Sequence, residues 1–483
     1  MSNSLLEISS IRPKEASSVK WRSKEAWAVL SFFLLFLLFL YFGSAASLRI
    51  LYPILSLVVA VYLYIRHQVL YIGFCWWIWF LSPLFIRLVD FRIGWDPSRQ
   101  MLIAPYLVVF VTTLTLVKYL PRAYRENGLP FVLAFSGVAY GLFIGFINNS
   151  PVAVTRSLLD WLSPLLLAFH LFVNWRDYPI YRQHIKRVFL WFVLLLGTYG
   201  IYQFVAAPEW DRYWLIQSGM FTSMGSPEPF GMRVWSTMHS TGPFGAVMQS
   251  GLLLLLTSSS ALIFPASLVG YLSLLLAQTR GAWGALLLGI FILMGSVKEK
   301  LQMRFFSIVL VIVVCVIPIL AIDPISDVVV TRLETFTNLS TDQSFNDRAS
   351  NYDRQLGIAF SSLLGTGLGN TWVVNERTGQ IEVIVIDSGI LDIFFTLGWM
   401  GAALYVGGLA SALLRIANLE ECKFDSFVAA SRAIVISLFS MLIIGSTMIG
   451  VGGMMLWGFM AMSLSAQKFY KIKNQKHISS RKF

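Results

Sequence analysis

The sequence predicts an all-α polytopic membrane protein of about 12–14 transmembrane helices with a large helical loop on one face. Three observations predict it. Of 483 residues, 57% are hydrophobic and only 13% charged, where a soluble domain runs roughly 45–50% apolar and ~25% charged. Apolar runs close to the ~20 residues that cross a bilayer recur along the whole length. The cations between those runs are sorted by side, with all thirteen lysines on alternate connections. A soluble enzyme, a single-anchor protein and a peripheral protein are excluded.

Taken in order, apolar runs between charged or Pro/Gly-rich breaks place spans near 26–42, 50–65, 68–86, 100–117, 129–147, 157–173 and 188–206. The second half adds 243–257, 261–278, 281–297, 305–322, 388–414, 428–448 and 452–466. Residues 1–25 form an N-terminal tail and 467–483 a basic C-terminal tail; spans 1–11 fill 26–322 with an outer loop at 207–242, a large outer loop covers 323–387, and spans 12–14 fill 388–466. Ser44-Ala45-Ala46 after the first apolar run resembles a cleavage site, but a 25-residue polar lead is long for a signal peptide, so the first span is expected to stay uncleaved.

A cytoplasmic N-terminus puts 25 of the 37 Lys/Arg inside and leaves 12 outside, every outer cation being arginine. Acids divide the other way, 9 inside against 16 outside. Such a bias in short loops sets orientation, so both termini are expected in the cytoplasm. The net charge of +12 is therefore a topology signal and a match to anionic lipid headgroups, and nucleic acid is not an expected partner. Cys75, Cys315 and Cys422 offer no disulfide or zinc framework.

The outer arginines carry the chemistry: Arg233 in the first loop, Arg280 where two spans meet, and Arg332, Arg348, Arg354 and Arg377 in the second loop. Arginine presents a permanently charged planar fork suited to phosphate or carboxylate oxygens. A charge with almost no loop around it, like Arg280, is costly unless paired or functional. A plainly structural use would pair such arginines with Asp342, Asp347 and Asp353. Acid–base candidates on the same face are His239, Asp353, Asp387 and Asp392, since a histidine or partly buried carboxylate can be tuned to the working pH. Asp387 can equally cap a helix, and Asp392, one turn inside its span, needs a partner, with Arg280 and Arg348 as candidates. A helix near 346–362 would bury Leu356, Ile358, Ala359, Phe360 and Leu363 before a turn through Gly365, Gly367 and Gly369. That glycine run has no βαβ context and no following Lys-Ser/Thr, so it reads as a turn and not a nucleotide site. Glu209-Trp210-Asp211 is a short acid pair lacking further ligands, and neither a metal nor a cofactor is expected. Trp210, Trp214, Trp235 and Trp372 are candidates for lining a substrate path on this face.

Together these pieces resemble the O-antigen ligase/polymerase superfamily over roughly 230–405: Arg233 with Ser236-Thr237 before Gly242-Pro243, then Thr279-Arg280-Gly281-Ala282-Trp283, Ser344 with Arg348, the three glycines, and a span with Gly398 and Gly401. The resemblance implies a GT-C-like fold in the bacterial inner membrane, with 323–387 as a periplasmic loop. It also implies an undecaprenyl-diphosphate-linked glycan as donor, a glycan as acceptor, and membrane lipids, a chain-length regulator and a flippase as partners. Arg280, Arg348 and Arg233 would stabilise the leaving diphosphate, Asp387 or His239 would act on the acceptor hydroxyl, and Arg332, Asp353, Arg354 and Asp392 would bind substrate. Ligases open the span after the large loop with a His-Asn-like pair, where this sequence has Asp387-Ser388. That departure turns the expectation towards a polymerase, with ligation to lipid A core, a small-anion transporter and a structural subunit as alternatives. The catalytic reading requires Arg233, Arg280, Arg348 and Asp387 to converge near one outer cavity.

Overall fold

The computed structural model describes residues 24–296, 302, 323, 352, 355–357, 359–374, 381–383, 386 and 388–480. Within them the chain runs α1 (Lys24–Tyr41), α2 (Ala45–Arg66), α3 (Gln68–Ile93), α4 (Ile103–Phe110), α5 (Thr113–Ala123), α6 (Leu129–Asn148), α7 (Pro151–Val173) and α8 (Tyr178–Ala206). There follow α9 (Glu209–Ser218), α10 (Phe221–Met224), α11 (Thr241–Leu256), α12 (Ile263–Leu276) and α13 (Arg280–Met294). The last third holds a ribbon of β1 (Trp372–Val374) antiparallel to β2 (Ile381–Val383), then α14 (Gly389–Ala417), α15 (Ser426–Ser440) and α16 (Gly450–Ser480).

Among the described residues eight helices are long and apolar enough to cross a membrane, and nine if the pair Gln100–Phe110 and Thr113–Ala123, bent by 42°, is one span. This is a multi-pass membrane protein. Every expected span overlaps helix except 305–322, which lies outside the described residues, and the span expected at 428–448 stops short, its last residues forming the turn before α16. Helices α11, α12 and α13 have only 16, 14 and 15 residues, which at ~1.5 Å per residue gives lengths near 21–24 Å against a hydrocarbon core of ~30 Å.

Successive connections alternate between two ends of the bundle. One end, the loop face, carries α9, α10 and the start of α11; the other, the tail face, carries the far end of α16. Membrane helices associate through close backbone approach rather than through a hydrophobic drive, so small residues mark the seams. Gly137 of α6 lies against Gly401 and Tyr405 of α14, and Gly408 of α14 against Pro130 and Ala134 of α6. Gly197 and Gly270 bring α8 and α12 together in the same way. At the tail face Asp425 accepts hydrogen bonds from Tyr178, Arg182 and Tyr470, tying α8, α15 and α16.

Gly398 interrupts α14 at φ 61° and ψ −175°. The glycine run read as a plain turn in the sequence is a wedge filling that interruption. Thr366 and Gly367 amides donate to the carbonyls of Phe395 and Thr396 at 3.0 and 2.9 Å, and Leu368 donates to Gly141 at 2.9 Å. Asn149 Nδ2 in turn donates to the Thr366 and Leu368 carbonyls at 2.9 and 3.0 Å. A Cβ on Gly365, Gly367 or Gly369 would meet backbone atoms of Gly398, Gly145 and Val154 at 2.3, 2.2 and 2.7 Å, so glycine is required by backbone contact as well as by φ near +80°. The helix before the wedge differs from its expected apolar face. Residues 355–357 and 359–361 are helical, Ala359 is buried and Phe360 packs on Phe394 and Trp399, but Leu356 and Leu363 are exposed. Ile358 lies outside the described residues.

Candidate functional site

At the loop face three chain ends meet. The Val234 amide, next to Arg233, donates to the Leu276 carbonyl at the end of α12 at 3.1 Å. Thr279, next to Arg280, reaches the Thr241 carbonyl at the start of α11 at 3.5 Å, two residues beyond His239. Gly245 of α11 lies against Thr279 and Ala282. Arg233, His239 and Arg280 are thereby carried by one junction of α11, α12 and α13.

A second contact extends the junction to α14. Gly281 lies against Ile444, in the turn between α15 and α16. The same turn holds the start of α14: Ser388 donates to the Leu442 carbonyl at 3.2 Å and Gly389 lies against Leu442, Gly445 and Ser446. Ser388, rather than Asp387, caps the helix, accepting from the Leu391 amide at 3.5 Å. Asp392 is buried and accepts from the hydroxyls of Thr396 and Ser446, each at 3.0 Å. Its partners among the described residues are hydroxyls, so the expected pairing with Arg280 is corrected. A hydroxyl pair satisfies a carboxylate within the bundle without a guanidinium.

What holds Arg233 and His239 in place is a buried polar network absent from the sequence reading. Arg87 near the end of α3 pairs with Asp211 of α9 at 3.2 Å, with side chains 1% and 0% exposed. Asp211 also accepts from Tyr199 at 2.8 Å and Gln203 at 2.7 Å. Burial raises the Asp211 carboxyl above its ordinary value, while Arg87, Gln203 and Tyr199 act in the opposite sense. Gln203 uses its oxygen to take the amides of Trp235 and Ser236 at 3.0 and 2.8 Å. Arg87 also donates to the Ser236 carbonyl at 2.6 Å, and Thr237 to the Phe80 carbonyl at 2.7 Å. The Glu209-Trp210-Asp211 acid pair is thus split, with Asp211 engaged inside the fold. Trp214 and Trp235 are corrected too: both are buried, their rings 5.9 Å apart in a small core with Met224 and Met232, and neither lines an open path. Trp210 donates to Tyr199 at 2.7 Å, and the Trp372 side chain lies outside the described residues.

Arg233 donates to the Ser223 carbonyl at 3.2 Å and is partly exposed, and Arg280 opens α13 with its side chain partly exposed. His239 keeps an exposed surface within a densely packed rim. That packing, together with Arg99 and Arg87, holds its imidazole below the ordinary histidine value; solvent contact moderates the packing effect, whereas the two cations act in one direction. The local backbone is strained: Arg99, Ala207, Phe230, Ser236 and Gln278 all have φ between 44° and 61°. Such conformations cost about 1–3 kcal/mol each and collect at functional sites. Ser236 shows how one is enforced, since its amide, carbonyl and hydroxyl are all engaged. Arg332, Arg348, Asp353, Arg354, Arg377 and Asp387 lie outside the described residues.

The arrangement offers two partly exposed guanidiniums and an imidazole of lowered basicity at the ends of helices of 14 to 16 residues. Permanent charge of this kind suits anionic oxygens such as those of a diphosphate or carboxylate. Residues 265–406 match the family model described as O-antigen ligase. No curated protein matches the chain. The matched segment begins in α12, takes in Arg280 and the glycine wedge, and ends within α14, and it supports the O-antigen ligase/polymerase superfamily.

Proposed function

With the O-antigen ligase/polymerase superfamily as premise, we propose that this chain polymerises undecaprenyl-diphosphate-linked oligosaccharide repeat units at the outer face of the bacterial inner membrane. The observation that carries the reading is the junction at which Arg233, His239 and Arg280 share the ends of α11, α12 and α13 and touch, through the 441–446 turn, the start of α14. An acceptor hydroxyl oxygen bonds to the donor sugar C1, the C1–oxygen bond to the lipid diphosphate breaks, and the hydroxyl proton passes to a base. Arg280, Arg348 and Arg233 stabilise charge on the departing diphosphate, an effect for which losing one preorganised donor costs ~10²–10³ in rate. Asp387 is the proposed base, with His239 as the second candidate, and Arg332, Asp353, Arg354 and Asp392 complete substrate binding. The 323–387 segment is the proposed periplasmic cover that excludes water from the donor.

Two further readings have specific support. The matched family is described as O-antigen ligase, which is compatible with a second reading, ligation to lipid A core or another acceptor, against which stands Asp387-Ser388 in place of a His-Asn-like pair. A transporter is favoured by the break in α14 beside buried Asp392, since broken helices carry transport sites. Here, however, backbone of the glycine wedge fills the break.

The test is the glycan profile of a deletion strain complemented with wild type, Arg280→Ala, Arg348→Ala or Asp387→Ala at matched expression. Single repeat units accumulating on the lipid carrier are expected. Long lipid-linked polymer lacking its final acceptor would assign ligation, and an unchanged profile in the deletion strain would remove glycosyl transfer and bring transport forward.

A further inference from the structure

A second cationic corner lies at the loop face, built on Arg99 and Trp95, which the reading above does not use, and bordered by His239, its second candidate base. The connection from α3 to α4 is an Asx turn: Asp96 accepts from the Ser98 amide at 2.9 Å, the Ser98 hydroxyl at 2.5 Å and the Gln100 amide at 3.3 Å. Arg49 fastens its beginning by donating to the Gly94 carbonyl at 2.5 Å and to Asp90 at 3.2 Å. The turn forces Arg99 to φ 49° and lays its guanidinium over the rings of Trp95 and Trp214, at 4.5 and 5.8 Å from their centroids. Among the described residues that guanidinium makes no hydrogen bond and no ion pair, although Asp90 and Asp96 are close enough to act on its charge. Both acids are occupied, Asp90 by Arg49 and Asp96 by the turn. A strained backbone, two aromatic rings and a carboxylate-held turn therefore hold a guanidinium whose five donors remain available.

Its neighbours narrow what those donors can receive. Trp95 is partly exposed and offers apolar ring surface of the kind that packs against sugar C–H groups. His239, acted on by Arg99, keeps an exposed ring that can exchange hydrogen bonds with hydroxyls. Asp90 and Asp96 make the corner unfavourable for a multiply charged diphosphate but tolerable for a singly charged carboxylate, which a guanidinium binds in bidentate fashion. We propose that Arg99, Trp95 and His239 form a subsite for a carboxylate-bearing sugar residue of the glycan, with the carboxylate on Arg99, the ring face on Trp95 and hydroxyls on His239. The subsite gives the protein a specificity for acidic repeat units. It rests on the glycan-transfer reading but is tested by binding alone.

The experiment is a saturation-transfer NMR titration of the full-length protein in nanodiscs with glucuronate, glucose and inorganic pyrophosphate, for wild type, Arg99→Lys, Arg99→Gln and Trp95→Leu, each checked by thermal melting. Charge-assisted hydrogen bonds of this kind correspond to about 10- to 100-fold in affinity. Wild type is expected to prefer glucuronate over glucose by roughly tenfold or more, with Arg99→Gln abolishing the preference, Arg99→Lys keeping part of it, and Trp95→Leu weakening both sugars. Equal binding of the two sugars by wild type, a preference unchanged in Arg99→Gln, or displacement of glucuronate by pyrophosphate overturns the subsite; the last assigns the guanidinium to diphosphate. If Arg99→Gln melts early, Trp95→Leu and the wild-type preference still decide. An unchanged glycan profile in the deletion strain alongside selective glucuronate binding would remove glycosyl transfer and leave the subsite standing.

Discussion

Arg87 and Asp211 show how a single pair governs the loop face. Both are buried, so removing one partner leaves the other charge without compensation, a loss of about 3–5 kcal/mol where it has been measured for buried pairs. Arg87→Leu is therefore expected to lower the melting temperature of the detergent-solubilised protein markedly. Glu126→Gln, at the partly exposed bridge to Lys468, should cost at most ~1 kcal/mol. Asp96 gives a pH dependence. Burial alone would raise its carboxyl, but the Ser98 hydroxyl and the Ser98 and Gln100 amides more than offset this and hold it below the ordinary carboxylate value. Its stabilisation of the turn is thus complete above that ordinary value and lost as pH falls through the lowered one. Protection of the Ser98 and Gln100 amides, taken relative to the intrinsic exchange rate at each pH, should be lost only in acid for wild type, and near neutrality already in Asp96→Asn. His239 is shifted in the same direction, so its ring holds a proton less readily than a free imidazole. If it serves as the base, the transfer rate of purified protein should fall in acid with a midpoint below the ordinary histidine value of ~6.5; the absence of any acid limb at or below that value would count against that role.

At the scale of elements, the glycine wedge and α14 are one device. Backbone of 363–369 supplies partners to carbonyls freed at Gly398, which is how a broken helix satisfies its polar groups within a membrane protein. Gly367→Ala should sharply reduce folded yield, because its Cβ would lie 2.2 Å from the Gly145 nitrogen. Gly357→Ala, with open space around it and a helical backbone, should be neutral or gain up to ~1 kcal/mol. Equal yields of the two variants would show that the wedge is not tightly docked. The eight or nine long apolar helices among the described residues were legible because spanning helices need length and apolarity alone. The wedge was not, because a glycine run has the same local signature whether it turns in solvent or docks against three helices.

For the molecule as a whole, the partition of lysine and arginine makes a testable statement about orientation. Cysteine introduced at Gln217, exposed in α9, should react with an impermeant maleimide in intact cells, whereas cysteine at Gln475, exposed near the end of α16, should react only after permeabilisation. The native Cys75 and Cys422 are buried, and Cys315, outside the described residues, is replaced by serine in the background used. The reverse pattern would invert the topology and place the junction of α11, α12 and α13 in the cytoplasm.

Composition, apolar period and charge asymmetry determined the class of fold and the expected sidedness, because each is a sum over many residues that no single contact can overturn. Motif order pointed to Arg233, Arg280 and Arg348, since short segments around them carry recognisable residues, whereas His239 stood out as the one histidine placed on the outer face. Tertiary structure alone decided that Arg233, His239 and Arg280 share one junction and that Ser388 rather than Asp387 caps α14. It likewise decided that Asp392 takes hydroxyl partners, that Trp214 and Trp235 are core, and that Arg99 is held on two indoles with its donors free. Each depends on which distant segments the helices bring within hydrogen-bonding reach, and a contact between residues 87 and 211 or 281 and 444 leaves no periodic trace along the chain.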